Sequence, residues 1–204
     1  MVYSRAVTLE IVKYGHPVLR EKGKPVARVT QEIRQLAADM IETMYAAKGV
    51  GLAAQQIGRA LLLTVVDVRD SERPSEMFID GQAQDLDLRM PLVLVNPKIA
   101  GAAGEQIGIE GCLSVPDINA DIRRAARVTV TAQTLDGGTL TFDCTGLFAR
   151  AVQHEVDHLN GVLFIDRMDA ATRASLSGKL KKLQKETQAK LAKPVKRRRV
   201  LAPR

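Results

Sequence analysis

The chain has 204 residues, enough for one domain with a substantial core and too few for two. A hydrophobic content of 46% and a charged content of 26% are ordinary for a globular protein, and two cysteines are too few for a disulfide scaffold. No run of about 18 uncharged apolar residues is present, which excludes a transmembrane helix, and Met1 to Lys13 lacks the apolar stretch of a signal peptide, so the expected compartment is the cytoplasm and no membrane partner is expected.

The formal net charge of +7 is unevenly placed. Residues 179–204 carry eleven Lys/Arg and one Glu, a net +10, whereas the first 178 residues carry nineteen Lys/Arg and twenty-two Asp/Glu, a net −3. Segregated positive charge suits an anionic partner such as RNA or a membrane surface, and equally a solvated tail.

In chain order, Val7 to Val12 is β-prone and is broken by Gly15, His16 and Pro17. Residues 31–47 place Ile33, Leu36, Ala37, Met40, Ile41, Met44 and Tyr45 on one stripe of a helix, with Thr30 as N-cap, Glu32 in the first turn and Gly49 as the stop. Leu61 to Val68 reads as a buried strand. Residues 70–91, with many charges, two prolines and a glycine, read as a surface excursion. Leu92 to Val95 is another short strand. Val128 to Leu135 and Thr139 to Phe142 flank Asp136, Gly137 and Gly138, a hairpin signal. Residues 147–159 and 172–193 are helical, the second with Leu176, Leu180, Leu183 and Leu191 on a stripe. Pro194 ends it, and Lys193 to Arg204 is expected to be disordered. The order of elements predicts an α+β fold: a single domain of mostly antiparallel short strands around a central helix, with a C-terminal helix and a basic tail.

The central helix carries the chemistry. Of three histidines, His154 and His158 stand four apart around Glu155, and on a helix both imidazoles reach one ion from the same face. In metal hydrolases with this H-E-x-x-H pattern the glutamate takes a proton from the bound water. The pattern is short, and a surface helix that holds two histidines by chance is the competing reading. A hydrolytic ion needs a third protein ligand and an open position. His16, before a proline, reads as a turn residue. Cys112, beside Gly111, is the stronger candidate because a thiolate binds transition metals well, although a buried core thiol has the same signature. Gly49 to Gly58 is rich in small residues that let backbone pass close to a ligand, and the Gln56 amide is a candidate donor to an oxyanion.

Three ordered segments, Gly49 to Gln56 (G-x-G-L-A-A-x-Q), Glu110 to Ser114 (E-G-C-L-S) and Gln153 to His158 (Q-H-E-x-D-H), together resemble the peptide deformylase family. Pro17 to Arg20 and Leu159 to Arg167 extend the resemblance to roughly residues 7–170. The resemblance implies hydrolysis of the N-formyl group from the first methionine of newly made polypeptides, with release of formate. It implies metal ligands Cys112, His154 and His158, Glu155 as general base, and the Gln56 side chain with the Leu113 N–H as oxyanion donors. The implied cofactor is one divalent ion, ferrous iron in the cell, with zinc, nickel or cobalt able to replace it. A catalytic domain would span residues 1–170 and the C-terminal helix and tail residues 171–204. The family acts on chains leaving the ribosome, so the basic C-terminus is expected to meet ribosomal RNA.

Val50, Gly51, Ile109, Glu110 and Leu147 are expected to bind substrate, with Val152 a further liner of an apolar pocket for the methionine side chain. Glu110 is also a candidate partner for a metal-bound histidine, and Asp157 for Arg124 or Arg123. Two departures stand out. Many family members carry an arginine where this chain has Asn119, three residues past Pro116, and residues 70–91 exceed a minimal connection. A zinc protease would leave Cys112 and Gln56 without a task. A non-catalytic metal- and ribosome-binding protein would not need Glu155. An RNA-binding protein would need more than 3% aromatic residues for base stacking.

Overall fold

The computed structural model describes residues 6–192. Its strands are β1 (Gly51–Ala53), β2 (Leu63–Val66), β3 (Ser75–Ile79), β4 (Gln82–Gln84), β5 (Leu92–Ala103), β6 (Gln106–Cys112), β7 (Val115–Arg124), β8 (Arg127–Gln133) and β9 (Thr139–Thr145). Its helices are α1 (Gln31–Ala46), the short α2 (Leu86–Arg89), α3 (Gly146–Leu159) and α4 (Ala170–Leu191). Seven strands form one sheet in the order β1–β2–β5–β8–β9–β3–β4, and β6 and β7 form a separate hairpin. All the pairings are antiparallel. The expected α+β architecture around a central helix is the one observed.

That helix is α3. Eleven of its fourteen residues are buried, so it is enclosed rather than amphipathic. Phe148 stacks on Phe142 of β9 with ring centroids 5.4 Å apart, and Leu147, Ala151 and Val152 join Val66, Leu94, Val128 and Val130 in the largest core cluster. The Gln153 amide accepts from the Ala125 N–H and donates to the Ala125 carbonyl, both at 3.0 Å, which ties α3 to the β7–β8 corner. On the other side, α1 lays Met40 and Met44 against Leu52, Leu63 and Val65. The Thr30 side chain makes no capping bond, and the left-handed residue that ends α1 is Lys48 (φ 55°), with the Gly49 N–H then donating to the Met44 carbonyl.

Several expectations need correction. Val7 to Val12 joins no sheet: Leu9 donates to the Thr43 hydroxyl and Val12 to the Gln56 carbonyl, so its donors are used by side chains and turns. Leu92 to Val95 is only the start of a twelve-residue strand, continued through register shifts that skip Pro97 and Ala100. Residues 70–91 are not a mere surface excursion. β3 and β4 form a hairpin that joins the main sheet through β9, with Met77 opposite Cys144 and 1% exposed. Cys144 is a core thiol whose pKa burial pushes up. The β6–β7 hairpin escaped the sequence reading because β6 contains two glycines and β7 a proline.

In β7 the alternation buries Ile118, Ala120 and Ile122 and brings Arg124 inward after them. Leu163 to Ile165 and Leu180 of α4 cover that face. Leu176 and Leu183 are partly buried, whereas Leu191 is 49% exposed, so the leucine stripe packs only over its first half. Lys193 to Arg204 and Pro194 lie outside the described residues. No described helix is long and apolar enough to cross a membrane.

Two outcomes test this fold. Met77→Ala is expected to lower stability by about 2–5 kcal/mol in urea unfolding, against roughly 0.5 kcal/mol at a true surface loop. Asp67 accepts hydrogen bonds at 2.6 Å from both Tyr45 and Arg69. Burial opposes its charge, but those donors outweigh burial and hold its carboxyl below the ordinary value. Its stabilising contribution is therefore complete above that value, ~3.9, and is withdrawn as the pH falls through and below it. Asp67→Asn should flatten this part of the acid unfolding curve and leave the neutral-to-alkaline part unchanged in shape.

Candidate metal centre

Helical spacing sets the first two donors. His154 and His158 lie one turn apart on α3, with ring centroids 4.9 Å apart at 70°. The third donor comes from the end of β6, where Gly111 and Cys112 enter the tight turn to β7. Donor atoms of Cys112, His154 and His158 all lie within 4.8 Å of one another. The Cys112 Sγ is 3.2 Å from His158 Nε2 and 3.5 Å from the Gln56 amide nitrogen. The Gln56 Oε1 accepts from the Ala53 N–H at 2.8 Å, and this contact aims the amide nitrogen at the thiol.

Beneath the histidines lies a buried ionic network. Glu110 accepts from Arg124 at 2.9 and 3.0 Å, from Arg150 at 2.7 Å and from His154 Nδ1 at 3.0 Å. Arg124 also donates to Asp157 at 2.5 Å, and Asp157 accepts from Arg167 at 2.6 Å. Burial pushes the Glu110 carboxyl up, but the hydrogen bonds of His154 and Arg124 outweigh it and hold the pKa down at about 2. An ionised carboxylate only accepts, so the His154 Nδ1 carries a hydrogen, and Nε2 is the ring nitrogen that can bind an ion once its own proton is lost. Burial pushes the His158 pKa well down, which keeps that imidazole neutral. At His154 burial is outweighed by Cys112 and Glu110, which raise its pKa. Burial raises Glu155 to about 7, and its Oε2 has no hydrogen-bond partner among the described residues.

The centre opens into a cleft of about 440 Å³. Gln56, Cys112, Leu113, His154 and Glu155 form one part of its lining, and Val50, Gly51, Ile109 and Leu147 another. Val50 and Ile109 are 38% and 64% exposed at the mouth, and Leu147 is 8% exposed. Glu110 touches the lining, but both its oxygens are committed to the network below. Val152 does not reach the cleft: it is fully buried in the main core, and Ala151 takes the lining position instead. Gly51 faces Glu155 so closely that a Cβ there would collide with its carboxylate. The segment after β2 contributes Ser71 and Arg73 to the lining. Asn119 is exposed and pairs across the hairpin with Gly111. His16 caps the turn at Pro17–Arg20, accepting from the Val18 N–H at 3.2 Å.

Arg150 and Arg167 were not singled out from the sequence. The signal for Arg150 was an arginine within the apolar run Leu147 to Val152, where a charge survives burial only if paired. Asp157 meets Arg124, whereas Arg123 faces outward and pairs with Glu105 at 2.6 Å.

Comparison with known proteins agrees with this arrangement. The family model described as polypeptide deformylase matches residues 8–174. A peptide deformylase of Opitutus terrae is 46% identical over 185 residues, covering 90% of this chain and 96% of that protein. One of Acidobacterium capsulatum is 45% identical over 175 residues, covering 86% and 95%. Among solved structures, the peptide deformylase of Thermus thermophilus superposes with a TM-score of 0.75 at 37% identity, covering 88% of this chain and 99% of that one. Peptide deformylase 1B of Arabidopsis thaliana gives 0.78 at 33% identity, covering 94% and 98%. Fold, motif order and relatives coincide, and the chain belongs to the polypeptide deformylase family.

Proposed function

We propose that this protein hydrolyses the formamide of N-terminal formyl-methionine in newly made polypeptides, at a divalent ion held by Cys112, His154 and His158. The convergence of one thiol and two imidazoles within 4.8 Å, beside Glu155 and the Gln56 amide, carries this reading. The donor set fits the ion: the His154 Nδ1 is taken by Glu110, which leaves Nε2 for the ion, His158 is held neutral with Nε2 3.2 Å from the Cys112 Sγ, and the buried Glu155 Oε2 has no partner among the described residues. When bound, the ion supplies Lewis acidity that lowers the pKa of water toward neutrality.

The chain's own residues do the rest. Glu155, raised toward neutral pH by burial, is suited to take a proton from the attacking water and return it to the leaving amine. The Gln56 Nε2–H and the Leu113 N–H are the oxyanion donors. Ala53 fixes the first, and no turn or loop hydrogen bond among the described residues takes up the second. Val50, Ile109 and Leu147 with the bare backbone of Gly51 form the methionine site. β6 pairs only with β7 among the described residues, and β1 ends the main sheet, so a peptide can add its backbone to a strand edge beside the centre.

A thiolate with two imidazoles suits iron, zinc, nickel or cobalt, and we assign ferrous iron in the cell. We also assign residues 1–170 to catalysis in the cytoplasm and 171–204 to ribosome docking. The support for docking is the exposed row Lys179, Lys181, Lys182 and Lys185 on α4.

Anaerobically prepared, iron-loaded protein is expected to release formate from a formyl-methionyl peptide. Cleavage of unformylated peptides without formate release would favour a protease instead. Glu155→Gln should lose about 10²- to 10⁴-fold in kcat and keep its ion, whereas Cys112→Ala should lose the ion on dialysis. Gly51→Ala should keep its ion and lose about 10²-fold in activity, since its methyl group displaces Glu155. Changing Lys181, Lys182 and Lys185 to Glu should weaken binding to ribosomes and reduce its salt dependence, and binding that ignores ionic strength would contradict the docking assignment.

A further inference from the structure

We propose that Lys13 is a positioning residue for the oxyanion site. Its ammonium donates to the Leu113 carbonyl at 2.8 Å across a hundred residues of chain. This is the one hydrogen bond of that side chain among the described residues, and the acceptor is a neutral carbonyl rather than a carboxylate. The flanking residues act on the same two segments. The Tyr14 N–H donates to the Ser114 carbonyl, and the Val12 N–H to the Gln56 carbonyl, each at 2.8 Å.

The stretch Val12 to Tyr14 thus grips both oxyanion donors from behind: the backbone of Gln56 on one side and the Cys112–Ser114 turn on the other. The β-prone stretch Val7 to Val12 stays out of the sheet, its donors being used by Asp39 and Thr43 of α1 and by the Gln56 carbonyl. Lys13 does not line the substrate cleft, so it acts through Leu113 and not on the substrate. A two-residue turn without side-chain anchors can rotate its peptide planes. A cation on the Leu113 carbonyl holds the Leu113–Ser114 peptide plane, and together with the Tyr14 bond to the Ser114 carbonyl it limits how far the adjoining Cys112–Leu113 plane, which carries the Leu113 N–H, can turn.

The inference rests on the assignment of Leu113 N–H as a donor to the oxyanion. Its test compares Lys13→Met and Lys13→Arg in the zinc-loaded protein, reading kcat and KM for a formyl-methionyl peptide, zinc content, and the amide ¹H–¹⁵N resonances of Leu113 and Ser114. Lys13→Met should lower kcat about 10- to 100-fold with KM within about twofold and zinc unchanged, and should shift the two resonances. Lys13→Arg should restore most of both. Unchanged kcat, unmoved resonances, or zinc loss parallel to the activity loss would overturn the proposal. Were the wild type to release no formate, the deformylase reading would fail, while the resonances would still decide whether Lys13 orients the turn.

Discussion

The buried carboxylate of Glu110 is the contact on which the rest of the site depends. A charge 5% exposed survives only if its lone pairs are satisfied, and here two arginines and a histidine satisfy them. Removing one partner from such a network typically costs about 3–5 kcal/mol, because the others are left charged in the interior. The same bonds perform a chemical task. Glu110 fixes the tautomer and the ring of His154, and through Arg124 and Asp157 the network anchors the turn of α3 that carries His158. Stability and the placing of the candidate metal donors therefore depend on the same atoms.

Around that anchor, the active-site segments meet at very short range. β1 passes α3 so closely that only hydrogen fits at Gly51, and the Gly49 backbone lies against Leu113. The 3-10 turn after β1 delivers Gln56, with its amide oxygen held by Ala53 and its nitrogen turned to the thiol. A reaction that depends on preplaced donors needs such rigidity, and here it comes from backbone contacts across three separate segments.

Much of this was legible in the sequence because it is written in local spacing. His154, Glu155 and His158 need only the helical repeat, and the hairpin around Gly137 needs only its turn residues. Cys112 and Gln56 were drawn in by motif order, since nothing local ties them to the helix. What could not be read depends on contacts distant in the chain. β3 reads as part of a surface excursion because charges, two prolines and a glycine surround it, and Met77 is core only through its pairing with Cys144. Arg150 passed unnoticed in an apolar run, because its partner Glu110 is brought to it only by β6. Val152 was counted as a liner because helical periodicity gives a face and not the neighbour that face meets. Val7 to Val12 has strand propensity, but its backbone donors are taken by Asp39 and Thr43 of α1 and by Gln56, contacts distant in the chain.

The most direct test is X-ray absorption on the zinc-loaded protein. The account predicts one sulfur at roughly 2.3 Å and two imidazole nitrogens at roughly 2.0–2.1 Å, with one further light atom. A shell without sulfur, or one with a single imidazole, would contradict the assignment of Cys112, His154 and His158 as the three donors.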